Sequence, residues 1–202
     1  MRIKAMLPIA SLMLMLGAAS CSNDKATEQQ SEVKAAEPAK PDFGGYETQA
    51  KWGEHLVTIG GCNDCHTPKK FGPQGMVPND SLLLSGHIAG LPMPKIDRKN
   101  LQQNGLFASN DLTIWLGPWG VSYAANLTPD STGIGAWTED QFLTALRKGI
   151  TKGLPGSRPI LPPMPWQEIA KMTDPELKAV FAYLKSIPAI KNTVPTPLPP
   201  VR

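Results

Sequence analysis

Cys62-Asn63-Asp64-Cys65-His66 is the stretch of this sequence with the most chemistry in it. Two thiols three positions apart project from one helical turn, so each can add to one vinyl group of the same porphyrin. The adjoining imidazole then faces the iron from the proximal side. C-x-x-C-H is the attachment pattern of haem c. Two thioether bonds keep a cofactor in place where dilution would otherwise remove it. Two other chemistries use a C-x-x-C pair. A thiol–disulfide site sits where a strand runs into a helix of a βαβ pattern. Here a helical pattern and Gly60-Gly61 come before, and a Pro/Gly-rich loop comes after. Half a zinc site needs two more ligands, and only Cys21, His55, His66 and His87 remain to supply them. The surroundings favour haem over both.

One histidine leaves the second axial position of an iron to be filled. The candidates are Met76, Met93, Met164, Met172, His55 and His87. Met164 is the choice, because Ile160-Leu161-Pro162-Pro163-Met164-Pro165-Trp166 is a stiff segment that prolines keep out of a helix, and it holds one side chain in place. A methionine used only to fill a core fits such a loop poorly. Met93, in Leu91-Pro92-Met93-Pro94, has a similar setting and is the runner-up. His87 would give bis-histidine ligation. Met172 stands beside a helix cap and reads as packing. His55 falls in the first helix and reads as a solvated or packing histidine.

Three helices must position these groups. Tyr46, Ala50, Gly53 and Val57 form one stripe over 46–59, with Leu56 beside it, and Gly60-Gly61 ends the helix. Thr138-Glu139-Asp140-Gln141 is a capping-box pattern opening a second helix with Phe142, Leu146 and Ile150 on its apolar side. Arg147-Lys148 and then Gly149 fit its end. Thr173-Asp174-Pro175-Glu176 caps a third helix carrying Leu177, Val180, Phe181, Leu184 and Ile187, stopped by Pro188. Between the first two helices, 67–125 is dense in Pro and Gly and shows no helical period. Its 112–116 and 121–125 stretches flank Gly117-Pro118-Trp119-Gly120 as a small hairpin would. The proline-rich end, 191–202, is expected to be extended and loosely held.

The chain has 202 residues, with 41% hydrophobic residues and 21 prolines and 18 glycines. That allows one domain with long loops, and argues against a doubly wound fold or a long coiled coil. Three cysteines are too few for a disulfide scaffold. The formal charge is +3, and Arg2 and Lys4 supply two of those charges. The rest is nearly balanced, which is no electrostatic footprint for nucleic acid. Arg2 and Lys4 precede an apolar run that ends at Ala18-Ala19-Ser20-Cys21. The run is short for a bilayer span and reads as a secretory signal over 1–20. Small residues before a cysteine look like a bacterial lipobox with Cys21 acylated, although Ala18 stands where that pattern usually has Leu. An ordinary cleaved signal is the alternative. Residues 21–45 are polar and charged, with Val33 the one large aliphatic residue between Ser22 and Asp42, and read as a disordered tether. The expected location is the periplasmic side of a bacterial membrane, lipid-anchored at Cys21, or else soluble in the periplasm.

The chain resembles the class I c-type cytochromes, and is similar to the monohaem domains in cytochrome subunits of bacterial periplasmic dehydrogenases. The resemblance rests on Gly53-Glu54-His55-Leu56-Val57 leading to Gly61-Cys62-Asn63-Asp64-Cys65-His66-Thr67, and on Asn126-Leu127-Thr128-Pro129-Asp130 with Gly133-Ile134-Gly135-Ala136-Trp137-Thr138. Pro163-Met164-Pro165-Trp166 and the 179–184 stretch complete it. It implies an all-α, cytochrome c-like fold around one covalent haem c over 46–190, with 67–125 as an insertion longer than the smallest members carry. Its first and last helices would cross, Gly53 and Val57 facing Phe181 and Tyr183 or Leu184. His66 and Met164 would be the axial ligands. Haem propionates are anions in a partly apolar pocket and need donors. Asn126 and Arg158 are the candidates, with Tyr123, Trp137 and Trp166 as aromatic wall or ordinary core. The expected function is single-electron transfer between redox protein partners, without catalysis of its own. The alternatives are a haem subunit working inside a dehydrogenase or oxidase complex, and a His-only haem enzyme with an open sixth position.

Overall fold

Thr48 accepts the Lys51 N–H and opens α1, Gln49–Ile59, so the helix starts three residues later than its apolar stripe. Gly61, at φ 66°, turns the chain directly into α2, Cys62–His66. Farther on, Thr138 and Gln141 form a reciprocal capping box at the start of α4, Glu139–Lys148, and Gly149 ends it in the left-handed conformation. Beyond a single turn, α5, Trp166–Ile169, Thr173 and Glu176 repeat the device at α6, Asp174–Ser186, where Pro175 occupies the first turn. These caps satisfy N–H groups that have no partner within a helix. The computed structural model describes residues 42–73 and 75–202. The signal segment, Cys21 and nearly all of the expected tether lie outside the described residues.

α1 and α6 cross in close contact. A Cβ on Gly53 would stand 1.9 Å from the Ala179 carbonyl oxygen and 2.8 Å from the Tyr183 Cβ, so the crossing needs a glycine there. Around it lies the larger core, with Val57, Leu84, Ile134, Leu177, Ala179 and Leu184 almost fully buried. Phe142 of α4 stacks on Phe181 of α6 at 5.1 Å between ring centres.

The 67–125 stretch holds more regular structure than its composition announces. β1, Lys69–Gly72, pairs antiparallel with β2, Gly75–Pro78, and Phe71 stands opposite Met76 with both exposed. Asp97 caps a two-turn helix, α3, Arg98–Asn104. A three-stranded antiparallel sheet follows in the order β3, Phe107–Ala108, β4, Ile114–Gly117, and β5, Gly120–Tyr123. The β4–β5 hairpin turns at Pro118-Trp119, within the Gly117–Gly120 stretch. Ile114, Leu116 and Val121 make a second, smaller core, joined by Met93, Leu101, Phe107 and Leu198.

The C-terminal segment is extended, but it is not loosely held. Leu198 and Val121 exchange both backbone hydrogen bonds, at 2.9 and 3.0 Å, so the tail adds to the free edge of β5. Arg98 donates to the Pro199 carbonyl at 2.6 Å, and Gln102 accepts the Val201 N–H at 2.8 Å. Proline removes donors from an extended segment but leaves its carbonyls, and a sheet edge and two long polar side chains claim what remains. Among the described residues no helix is long and apolar enough to cross a membrane.

Candidate functional site

α2 presents Cys62 and Cys65 as free thiols, both half-buried, with His66 buried at the end of the turn. The turn is secured from its C-terminal side. Lys69 donates to the carbonyls of Asn63 (3.0 Å), Asp64 (2.6 Å) and Thr67 (2.6 Å). A five-residue helix leaves most of its carbonyls without helical partners, and one ammonium with three donors supplies them. Thr67 donates to the Asn63 side chain at 3.0 Å and accepts the Leu84 N–H at 2.9 Å.

His66 is oriented from outside its helix. Its Nδ1 lies 2.8 Å from the Ala125 carbonyl, and the Gly86 N–H donates to the His66 carbonyl at 2.8 Å. A carbonyl only accepts, so Nδ1 carries the hydrogen and Nε2 keeps the lone pair that a metal needs. Burial holds the imidazole below the usual histidine range, which favours that neutral form. Gly86 has φ +77°, and a Cβ there would fall 2.5 Å from the Ala124 carbonyl oxygen, so this approach requires a glycine.

Both thiols are poor thiolates. Burial pushes Cys62 up to about 11, and burial also raises Cys65, against the opposing pull of Lys69 and the Trp115 side chain beside it. Reactive redox cysteines show the opposite shift. Among the described residues no group of three His, Cys, Asp or Glu side chains is placed to hold a metal ion. The donor set on α2, two thiols and one imidazole on a single turn, fits a porphyrin that forms thioethers with the two cysteines and takes the histidine.

Met164 packs against the same apolar cluster that includes Cys62, Leu56 and Ile134. Met93 belongs to the smaller core with Ile114 and Leu116, and Met76 is exposed on β2. Met172 also borders the larger cluster, beside the α6 cap. His87 is buried, with Nδ1 2.8 Å from Thr113 Oγ1 and Tyr123 stacked on it at 5.1 Å, which places Tyr123 away from the larger core. His55 stacks on Tyr46 at the surface. Trp137 borders the larger core, and the Trp166 ring lies against Gly149.

Asn126 does not match its expected role as a propionate donor. Its amide nitrogen faces Thr132 Oγ1 (3.2 Å), the Ile190 carbonyl (2.9 Å) and the Asn192 carbonyl (3.4 Å). Its Oδ1 accepts from Thr128 N and Oγ1 at 2.9 and 2.8 Å. Two hydrogens already shared among three protein acceptors leave none for an anion. The residue instead fixes the chain next to Ala125. Arg158 is exposed on the loop ahead of Met164 and donates to the neighbouring Pro159 carbonyl at 2.9 Å. Lys69, Gly86 and Ala125 were invisible to motif reading. Backbone carbonyls and N–H groups do much of the positioning, and these carry no residue-type signal.

No protein-family model matches the chain. It is similar to the gluconate 2-dehydrogenase cytochrome c subunit of Pantoea cypripedii, 30% identical over 134 residues, which are 66% of this chain and 22% of that protein. It is 40% identical over 67 residues to the cytochrome c subunit of the quinone-dependent alcohol dehydrogenase of Gluconobacter oxydans, 33% of this chain and 13% of that one. It is 36% identical over 87 residues to the fructose dehydrogenase cytochrome subunit of Gluconobacter japonicus, 40% of this chain and 17% of that one. The chain thus spans about a fifth or less of the length of these curated relatives. The relatives are cytochrome c subunits of bacterial dehydrogenases, and they support a cytochrome c domain, with haem c and electron transfer, in this chain.

Proposed function

We propose that this chain is an electron-transfer protein with a cytochrome c-like fold and one haem c, held by Cys62 and Cys65 through thioethers and ligated by His66 and Met164. The observation that carries the reading is the geometry of α2. Two unpaired thiols share one turn with a buried histidine whose Nδ1 is tied to the Ala125 carbonyl, leaving Nε2 as the donor. Haem c supplies one-electron redox chemistry at its iron. The protein supplies the rest. Cys62 and Cys65 retain the group, and Lys69 and Thr67 hold their turn rigid. Ala125 sets the His66 tautomer. Leu56, Ile134 and the other residues of the larger core keep water from the apolar side. Met164 brings a thioether from a proline-stiffened loop on the same cluster, and sulfur in that position raises the potential relative to a second histidine. In this reading Arg158 is the propionate donor. The domain works on the periplasmic side of a bacterial membrane, tethered by a lipid on Cys21.

A second reading is favoured by the relatives' names, which describe cytochrome subunits of gluconate, alcohol and fructose dehydrogenases. Here the chain works as the haem subunit of a dehydrogenase complex rather than as a free carrier. Co-purification under mild detergent separates the two. A stable complex supports the subunit, and a lone chain that exchanges electrons with soluble partners supports the carrier.

Met164→Ala tests the ligand set. The haem should stay attached, because both thiols are untouched, while the potential falls and the weak red band of oxidised His/Met haem disappears. An unchanged spectrum would move the ligand to Met93, Met172 or His87.

A further inference from the structure

Asn192 lies beyond α6 in the extended tail, where no sequence pattern marks it, yet it is only 9% exposed. Its Oδ1 accepts the Ala89 N–H at 2.8 Å. Its Nδ2 donates to the carbonyls of Ser85 (2.7 Å) and His87 (2.8 Å). Its backbone N–H donates to Thr132 Oγ1 at 2.9 Å, and its carbonyl accepts from Asn126 Nδ2 at 3.4 Å. One residue therefore ties the 85–89 segment to the 126–132 turn.

Those two segments are the ones that grip His66. The Asn192 amide holds the carbonyls on either side of Gly86, and Gly86 donates to the His66 carbonyl. On the other side, the Asn126 contact holds the residue that follows Ala125, whose carbonyl takes the His66 Nδ1 hydrogen. We propose that Asn192 is a positioning residue for the axial histidine. By locking the two backbone segments together, it fixes how closely the Ala125 carbonyl approaches Nδ1. The inference rests on the haem reading above.

The consequence has a sign. An acceptor on the far nitrogen makes an imidazole ligand more basic, and its loosening makes the ligand a weaker donor. A weaker donor stabilises ferric iron less, so the potential rises. Removing the amide also strands two buried carbonyls and one N–H, a loss a purely structural residue would share. Stability alone therefore does not decide the matter.

The test compares purified Asn192→Ala and Asn192→Asp with Gln102→Ala. The aspartate keeps an acceptor for Ala89 but turns oxygen toward the Ser85 and His87 carbonyls. Gln102→Ala loosens the same tail at Val201, away from His66. In the Asn192 variants the haem should stay covalently bound, the midpoint potential should move upward, and the low-spin ferric EPR signal should shift or broaden. In Gln102→Ala, which loses one tie of the same tail, both should stay at the wild-type position. If the Asn192 variants lose stability while potential and EPR signal stay unmoved, the proposal is overturned. Should neither Asn192 variant accumulate, Thr132→Val removes the backbone acceptor at nearly constant volume and must give the same upward shift. A colourless wild-type protein would defeat the haem reading itself, whereas a red wild-type with unmoved variants defeats this inference alone.

Discussion

Leu177 and Leu184 on the helical side are as thoroughly buried as Leu116 and Val121 on the sheet side, yet the two cores are held by different means. The larger core is closed by helix faces. α1 and α6 meet at Gly53, and each long helix carries its own cap, so the unit is specified by periodic side chains. The smaller core is closed by short strands of two to four residues, one short helix and a borrowed edge from the tail. Short strands bury little area and cannot stand alone. The second region therefore depends on polar ties made by side chains distant in sequence, such as Gln102 and Arg98 to the tail and Asn192 to the 85–89 segment. The attachment helix α2 stands at the join. Its Cys62 borders the larger core, its Cys65 lies beside Trp115 of β4, and its histidine is oriented by backbone that leads into and out of the smaller core.

The sharpest way to break the comparison is at the helix crossing. Gly53→Val puts a branched side chain into the space of the Ala179 carbonyl, and overpacking against backbone should destabilise by about 3 kcal/mol. Denaturant unfolding measures it, and an unchanged midpoint would mean that α1 and α6 do not meet as described. Leu116→Ala probes the other core. It should lose about 2 kcal/mol, the low end for a buried leucine, because a small cluster can partly collapse around the gap. Covalent haem should survive that change, and haem loss would show that the sheet is part of the attachment site.

The smallest effect is a pH dependence. Burial lowers His87, against the raising influence of Asp111 and the Leu91 carbonyl. A histidine whose folded pKa is depressed takes up its proton more readily in the unfolded chain. Its stabilising contribution is thus complete above the ordinary histidine pKa and is lost as pH falls from about 6.5 through the folded value. Melting temperature should decline over that window, and His87→Gln should flatten the slope. An equal slope in the variant would assign the loss to other groups.

The helical region was legible because its signals are local. Thr138, Gln141, Thr173 and Glu176 announce their caps by spacing alone, and Gly149 and Pro188 mark the ends. The β4–β5 hairpin could be read from the glycines that flank its turn. α3 escaped because its seven residues, with Gln102 the buried one, are too few and too polar to show a period. β1 and β2 escaped because Phe71 and Met76 face solvent, so no alternation toward a core exists. Composition predicts an extended tail but says nothing about which edge will receive it, here that of β5. At the site, Cys62, Cys65 and His66 follow from a spacing rule. The amide of Asn126 suits an anion by its chemistry alone, and only the position of Thr132, Ile190 and Asn192 shows where it goes.

The central claim is settled most directly on full-length protein exported with cytochrome maturation machinery, denatured, and examined for haem bound to the polypeptide alongside its reduced-minus-oxidised spectrum. Covalent stain at one haem per chain, with a low-spin spectrum that does not respond to carbon monoxide, is the predicted result. A protein that leaves the denaturing gel unstained, with both cysteines free to react with a thiol reagent, would contradict it.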